Sequence, residues 1–439
     1  MSAPPRPVPA AAPWAAEIFT IGVTGTNGKT STTWMIAAAI REAFRPVLQV
    51  STVGVALDAL PLPRGRSFAD FLGALEGAVE RGARHAVIEA TSHALAQGYA
   101  RAWRFDLGVF TNLSPDHLTT HGSWEHYLAA KAQLFVLLGP GRVAVLNAAD
   151  PAALLLDQAI PADVTRRWYA APHRGDRLRP ADLEATRIEL GPAGTIVHLA
   201  PSPAADALGG ALQTRMIGEV FGENALAAAL AALAAGIEPA AVARGIAAAP
   251  VVPGRFEVID HGDDRPLCAV DYAHSPDALV HTCRTARALA GPGGRVILVF
   301  GAGGGATSEK RGPMGEVVGA AADLAIVTTD NPAARTRGRS RPPSPRGAAR
   351  RPSRAPDRAR SRGRDRARPR RGRRRRRDRG RRQGPRVRPG DRRPDAPLHR
   401  RPGDPRSPRG PGRGRSPSAA LIARPGSPPS EARGGRPPS

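Results

Sequence analysis

Lysine is nearly missing from this chain. Three occur, Lys29, Lys131 and Lys310, among 64 lysine and arginine residues. Replacement on that scale is what a GC-rich coding sequence yields, so arginine content alone is no functional signal. A lysine that persists is expected where a compact, mobile ammonium cannot be replaced by a planar guanidinium. Cysteine is scarce too, with two residues, Cys268 and Cys283. That excludes a disulfide framework and a cysteine zinc site, and each is expected as a buried reduced thiol. No apolar run is long enough to cross a bilayer. Met1 to Ala16 has no basic region followed by an apolar core, so no secretory signal is expected and the cytoplasm is the default location.

Charge is abundant but uneven. The formal net charge is +26, yet from Ala333 onward Arg, Pro, Gly, Ser and Ala dominate, and that stretch alone carries about +30. The rest is therefore slightly acidic. The run Arg373 to Arg377 has no apolar neighbourhood to fold against, so disorder is expected over 333–439. Such a tail binds phosphate backbones nonspecifically, which leaves nucleic-acid binding as an alternative function. With no aromatic residue in the tail, sequence-selective single-strand binding is weakened there.

Upstream, strand-like runs alternate with helical ones. His85 to Glu89, Asp106 to Phe110, Arg142 to Leu146 and Arg295 to Phe300 read as buried strands, and the alternation indicates α/β layers on parallel sheets. The expected organisation is a disordered 1–16, a central P-loop-type ATPase domain over 17–249, a partial Rossmann-like domain over 250–332, and the tail.

Lys29 closes a glycine turn, Thr24-Gly25-Thr26-Asn27-Gly28-Lys29-Thr30-Ser31, between an apolar run ending at Val23 and an alanine-rich helix from Thr32. Strand, glycine turn, Gly-Lys-Thr and helix form a phosphate cradle. Glycines let backbone N–H groups approach phosphate oxygens, lysine supplies mobile charge, and Thr30 offers a hydroxyl to Mg²⁺. Val23 stands where a strict Walker pattern has glycine. Glu89 ends its strand where a parallel sheet presents side chains to a ligand, and its carboxylate suits Mg²⁺. Asp116 and His117 follow the run Val109 to Leu113, and Lys131 lies on an expected helix from Trp124 to Leu138. Taken singly, Lys131 also reads as a surface lysine and His117 as a core or capping histidine.

In order, the segments Gly25–Thr30, Glu89–Leu95, Phe110–His117, Tyr127–Phe135, Asn147–Asp150, Gly222–Ala228, Val252–Glu257, Asp271–Pro276 and Thr329–Pro332 resemble the Mur ligases, in particular the UDP-N-acetylmuramoyl-tripeptide synthetase type. The resemblance implies an ATP-dependent ligase of peptidoglycan-precursor synthesis, acting as a monomer on a UDP-muramoyl-peptide-like acceptor and a free amino acid. ATP would convert the acceptor carboxylate to an acyl phosphate, which the amine attacks to form an amide. It implies that Gly25 to Ser31 cradle phosphates and that Lys29 bridges β and γ. Thr30 and Glu89 would hold one Mg²⁺ and His117 a second. Lys131 matches a lysine the family carbamylates into a metal ligand, a modification closed to arginine. Asn224, Asp271, Tyr272 and His274 would surround adenine and ribose, and Lys310 with Arg311 would reach nucleotide phosphate.

The pattern is departed from in three places. About twenty residues precede the turn, where the family carries a UDP-binding domain, so that domain is expected to be lacking. Pro63 to Phe71 stands where the family has Thr-Thr-Pro. After Pro332 the arginine tail replaces the remainder of the last domain. With suitable third bases, Gln383 to Val387 read one base along gives Lys-Gly-His-Glu. Leu398 to Pro402 gives Phe-Thr-Asp-Asp-Arg, in the order in which the family ends. The tail is thus expected to be a frameshifted reading and the chain as written weakly active or inactive, with a natural basic tail as the alternative. A folylpolyglutamate- or cyanophycin-synthetase-like ligase is the second enzymatic alternative.

Overall fold

The computed structural model describes residues 12–63, 65, 67–114, 121–259, 266–302, 308–330 and 419–424, the last as backbone. Eleven strands form the larger sheet. In chain order they are β1 (Phe19–Thr24), β2 (Val47–Val50), β3 (Val55–Leu57), β4 (Leu60–Leu62), β5 (His85–Glu89), β6 (Leu107–Phe110), β7 (Val143–Asn147), β8 (Thr165–Ala170), β9 (Leu183–Gly191), β10 (Gly194–Leu199) and β11 (Ala211–Thr214). Their spatial order is β11-β10-β9-β8-β7-β6-β1-β5-β2-β3-β4. From β9 across to β2 every neighbouring pair is parallel. Strands such as β1 and β7 at the middle are buried on both faces, so they read as continuous apolar runs; antiparallel β10 alternates buried and half-buried positions instead.

Helices cover both faces: α1 (Lys29–Arg41), α2 (Phe68–Glu80), α3 (Ser92–Ala96), α4 (Tyr99–Ala102), α5 (Trp124–Val136), α6 (Pro151–Ala159), α7 (Pro203–Ala207), α8 (Glu219–Ala234) and α9 (Pro239–Ala248). One core joins Met35 and Ile36 of α1, Leu226 of α8 and Ile246 of α9 to Val23, Val87 and Val109 of the sheet. The other joins Leu75 of α2, Leu134 and Phe135 of α5 and Leu156 of α6 to Ile88, Phe110 and Leu146. Alanine lets the helices come close. A Cβ on Gly245 of α9 would lie 2.4 Å from the Ala39 Cα of α1, so this crossing requires glycine.

A second sheet of five strands has the order β12-β13-β16-β14-β15. Its members are β12 (Glu257–Ile259), β13 (Leu267–Asp271), β14 (Arg295–Phe300), β15 (Leu324–Val327) and β16 (Ala419–Arg424), flanked by α10 (Pro276–Ala290) and α11 (Arg311–Ala321). β16 runs antiparallel to both β13 and β14.

Two short elements lie in the stretches expected to be disordered. Residues Pro13–Glu17 form a 3-10 turn, because Trp14 stacks on Trp103 with ring centroids 5.7 Å apart. Within the tail, Ala419–Arg424 is a strand. Ala-Ala-Leu-Ile-Ala is an uncharged segment without Pro or Gly, able to hydrogen-bond along both edges. The rest of 1–16 and of 333–439 lies outside the described residues. Both cysteines are free, but only Cys283 is buried; Cys268 is half-buried. Burial pushes the Cys283 thiol up to about 11. Among the described residues no helix is long and apolar enough to cross a membrane.

Candidate active site

The chain leaves β5 on one side of β1 and enters β6 on the other. The C-terminal end of β1 is therefore the switch point of the sheet, where α/β proteins open a ligand crevice. The glycine turn lies there. Gly25 has φ +151° and a Cβ on it would meet Thr111 Oγ1 at 1.8 Å; Gly28 has φ +84° and a Cβ would meet Asn224 Oδ1 at 2.4 Å. Glycine is thus required both by the backbone conformation and by the neighbours. Gly28 is the N-cap of α1 and supplies no capping side chain, so the helix N-terminus is open to an anion.

The loop after β6 fixes the turn from behind. Asn112 Oδ1 accepts from the Asn27 amide at 2.9 Å, and the Asn27 carbonyl accepts from Thr111 Oγ1 at 2.6 Å. The Ser114 amide donates to Thr26 Oγ1 at 3.0 Å. Asp150, the N-cap of α6, accepts from the Leu113 amide at 2.8 Å, and burial pushes its carboxyl up. Ser31 is buried directly behind the turn.

Charged groups converge on this cradle. Lys29 Nζ donates to the Gly25 and Thr26 carbonyls at 3.1 and 2.8 Å. Lys131, 1% exposed, donates to the same Gly25 carbonyl at 2.6 Å and lies 4.3 Å from the Tyr127 ring centre. The surface-lysine reading of Lys131 is therefore wrong: α5 turns it inward, beneath the turn. Glu89 is buried at the end of β5. Its Oε2 accepts from Thr30 Oγ1 at 3.0 Å and from the Thr52 amide and hydroxyl at 2.8 and 3.0 Å. These are hard oxygen donors, which fit a Mg²⁺ bound through a hydroxyl, a carboxylate and waters. His117 and Asp116 lie outside the described residues. Among the described residues, no cluster of three or more His, Cys, Asp or Glu could hold a metal.

Most of the residues expected around the nucleoside lie on or beside the second sheet. Asp271 ends β13 and accepts from the Phe256 and Ala273 amides at 2.7 and 2.8 Å. Burial pushes its carboxyl up, opposed by Arg255 and these bonds. His274 Nδ1 is 3.0 Å from the Tyr272 carbonyl, and the two rings are 5.0 Å apart. Asn224 is buried on α8, against Gly28. Lys310 closes a 3-10 turn and Arg311 opens α11, half-buried and buried respectively.

Sequence reasoning gave no role to four residues that the fold places here. Arg255 stands over the Tyr272 ring at 4.9 Å and its Nη2 is 3.5 Å from Thr30 Oγ1. Its membership of the segment Val252–Glu257 was the available signal. Asp277 accepts from the Asn27 side chain at 2.8 Å across 250 positions. Arg174 forks onto the buried Glu223 at 2.9–3.1 Å. The fork holds the Glu223 carboxyl well below its ordinary range despite burial and holds Arg174 protonated. No local pattern announces a pairing of partners 49 apart. Beside the site, a cavity of about 800 Å³ is lined by Phe68, Gln97, Tyr99, Arg101, His121 and His126 among others. Burial, with Lys131 close by, lowers the pKa of His121, whose Nε2 is 3.0 Å from Ser92 Oγ.

Two family models match, the Mur ligase middle domain over residues 23–232 and the Mur ligase glutamate ligase domain over 254–352. The second match runs past Pro332, where the sequence resemblance stops. A UDP-N-acetylmuramoyl-L-alanyl-D-glutamate--2,6-diaminopimelate ligase of Geobacter metallireducens is 37% identical over 329 residues, 71% of this chain and 60% of the relative. The ligase of the same name from Streptomyces coelicolor is 37% identical over 321 residues, with 72% and 60% covered. The chain thus spans about 60% of the length of these relatives. A solved structure bearing that enzyme name matches with TM-score 0.56 at 33% identity, covering 72% of this chain and 62% of that one. A folylpolyglutamate synthase of Mycobacterium tuberculosis complexed with ADP shares the fold, with TM-score 0.53 at 17% identity, over 72% and 75% of the two chains. The chain belongs to the Mur ligase family.

Proposed function

We propose that the chain is an ATP-dependent acid–amino-acid ligase that adds 2,6-diaminopimelate to a UDP-muramoyl-dipeptide-like acceptor in the cytoplasm, as a monomer. The observation that carries this is the convergence of Lys29, Lys131 and the Thr30–Glu89 pair on one glycine cradle. The relatives' names support the substrates, and they lend nothing to the nucleic-acid reading of the tail.

The γ-phosphoryl group of ATP passes to the acceptor carboxylate, and the bond to the β-phosphate breaks. The amine of the amino acid attacks the resulting acyl carbon, phosphate leaves, and the amine loses a proton. Turn amides and Lys29 hold the phosphates and stabilise charge that shifts toward the β-phosphate. Mg²⁺, held by Thr30 and Glu89 and, in the second position, by His117, would supply further charge neutralisation between phosphates. Asn224, Asp271, Tyr272, His274 and Arg255 border the nucleoside side, with Lys310 and Arg311 toward its phosphates. The cavity beside His121 receives the acceptor. Lys131, as a carbamate, would present a carboxylate-like group to a metal.

Two measurements test this. Lys29→Ala should abolish MgATP binding by the full chain in calorimetry, and an unchanged affinity would place the site elsewhere. In a chain with its reading frame restored after Pro332, Lys131→Ala should remove acceptor-dependent phosphate release while high acetate or bicarbonate restores part of it. Full activity without such additives would make Lys131 a structural cation.

A further inference from the structure

Asn27 of the turn has its amide, carbonyl and side chain all held by described partners. Its amide and carbonyl are held from the loop after β6. Its side chain reaches away from the first sheet and donates to Asp277 Oδ2 at 2.8 Å, in the first turn of α10. The peptide planes that follow Asn27 carry the amides of Gly28 and Lys29, which open α1 toward an anion. A rotation at Asn27 re-aims both.

Asp277 has polar neighbours of its own. His281, one turn on, places Nε2 3.7 Å from Asp277 Oδ1. Its ring stands edge-on to His173 at 5.9 Å. His173 lies 3.5 Å from Glu223, which carries the Arg174 fork. The partner of Asn27 therefore borders a largely buried polar set anchored in α8. A carboxylate beside a phosphate cradle opposes anion binding by simple charge, so its presence calls for a geometric gain.

We infer that Asp277 is a positioning residue for the phosphate turn: by holding the Asn27 side chain it aims the turn's amides, and it makes nucleotide affinity depend on α10 being seated against the first sheet. The inference rests on the nucleotide-binding reading of the turn and adds a residue to it. A merely structural Asp277 would act on folding, independently of Asn27. A positioning Asp277 acts through Asn27 alone.

A double-mutant cycle on the full chain separates the two, with MgATP and MgADP affinities read by calorimetry and unfolding of the nucleotide-free chain read alongside. Asp277→Ala should weaken binding about tenfold, the scale of one hydrogen bond to a charged group. Asp277→Asn keeps an oxygen for Asn27 and should stay within about threefold of the parent. In an Asn27→Ala background, Asp277→Ala should cost nothing further. Asp277→Ser, which is too short to reach, replaces the alanine variant if that one does not fold. Wild-type affinity in Asp277→Ala, or equal losses in the two backgrounds, overturns the inference while leaving the functional reading intact. A parent chain that binds no nucleotide overturns both.

Discussion

The two sheets are completed in different ways. In the eleven-stranded sheet every strand comes from one stretch, Phe19 to Thr214, and its ends are closed by short antiparallel strands, β3 with β4 and β10 with β11. In the five-stranded sheet the middle strand is β16, which follows β15 only after residues 328–418. β13 and β14 do not pair with each other; each pairs with β16 along its length. The first sheet is thus built from neighbours in sequence, and the second is held together through a remote segment. Removing the remote segment leaves two unpaired edges in the interior of a sheet.

The largest effect is expected from breaking that difference. Leu421→Pro removes a ladder donor from a strand paired on both sides, where proline is not accommodated. Amide exchange by mass spectrometry should then show protection in β13 and β14 falling to that of frayed segments. Protection in β1, β5 and β6 should be unchanged. Equal protection in parent and variant would mean that β13 and β14 are held without β16, and the contrast between the sheets would disappear.

A smaller effect is expected where the first sheet carries its own buried charge. Arg174→Met leaves Glu223 buried without its fork, which costs about 3–5 kcal/mol, read by denaturant unfolding at neutral pH. The sign of its pH dependence follows from the pairing. In the parent, Glu223 is held well below its ordinary range, so its stabilisation is fully present above the unfolded carboxylate pKa and is lost progressively as pH falls from there toward the folded one. In the variant the unpaired carboxyl takes up a proton more readily on burial. The deficit should therefore shrink between pH 7 and pH 4. A deficit that is small at every pH would show that Glu223 finds other partners.

The same contrast decided what the sequence made legible. β5 spans His85 to Glu89, β14 spans Arg295 to Phe300, and the turn with Lys29 stands between β1 and α1, all as their local patterns indicate. Each signal there is carried by consecutive residues. β16 was hidden because five apolar residues in an arginine-rich stretch acquire meaning only beside two waiting edges. Arg255, Asp277 and the Arg174–Glu223 fork were missed for a related reason. Their partners lie 225, 250 and 49 positions away, and a spacing of that size carries no periodicity. Lys131 shows the opposite case: its persistence among arginines marked it, while its burial under Gly25 required the sheet.

The smallest effect concerns the seam between the two regions, at His281. This residue belongs to α10 and faces Asp277 on its own helix together with Arg174, His173 and Glu223. Burial lowers its pKa to about 4; Asp277 and Glu223 pull upward and Arg174 and His173 downward. In the unfolded chain it titrates near its ordinary value of about 6.5. Between those two values the unfolded chain binds a proton that the folded chain does not, so acidification favours unfolding over that window and has no such effect above it. The full difference would be about 3 kcal/mol, and screening at a side chain that keeps 13% of its exposure reduces it to about 1–3 kcal/mol. His281→Gln removes the proton uptake while keeping a neutral polar side chain of similar reach. Its stability should match the parent within about 1 kcal/mol at pH 7.5 and should fall less steeply than the parent's from pH 6.5 to pH 4. Parallel slopes for parent and variant would mean that His281 is open to water, and that the seam between α10 and the first sheet is looser than the bonds of Asp277 imply.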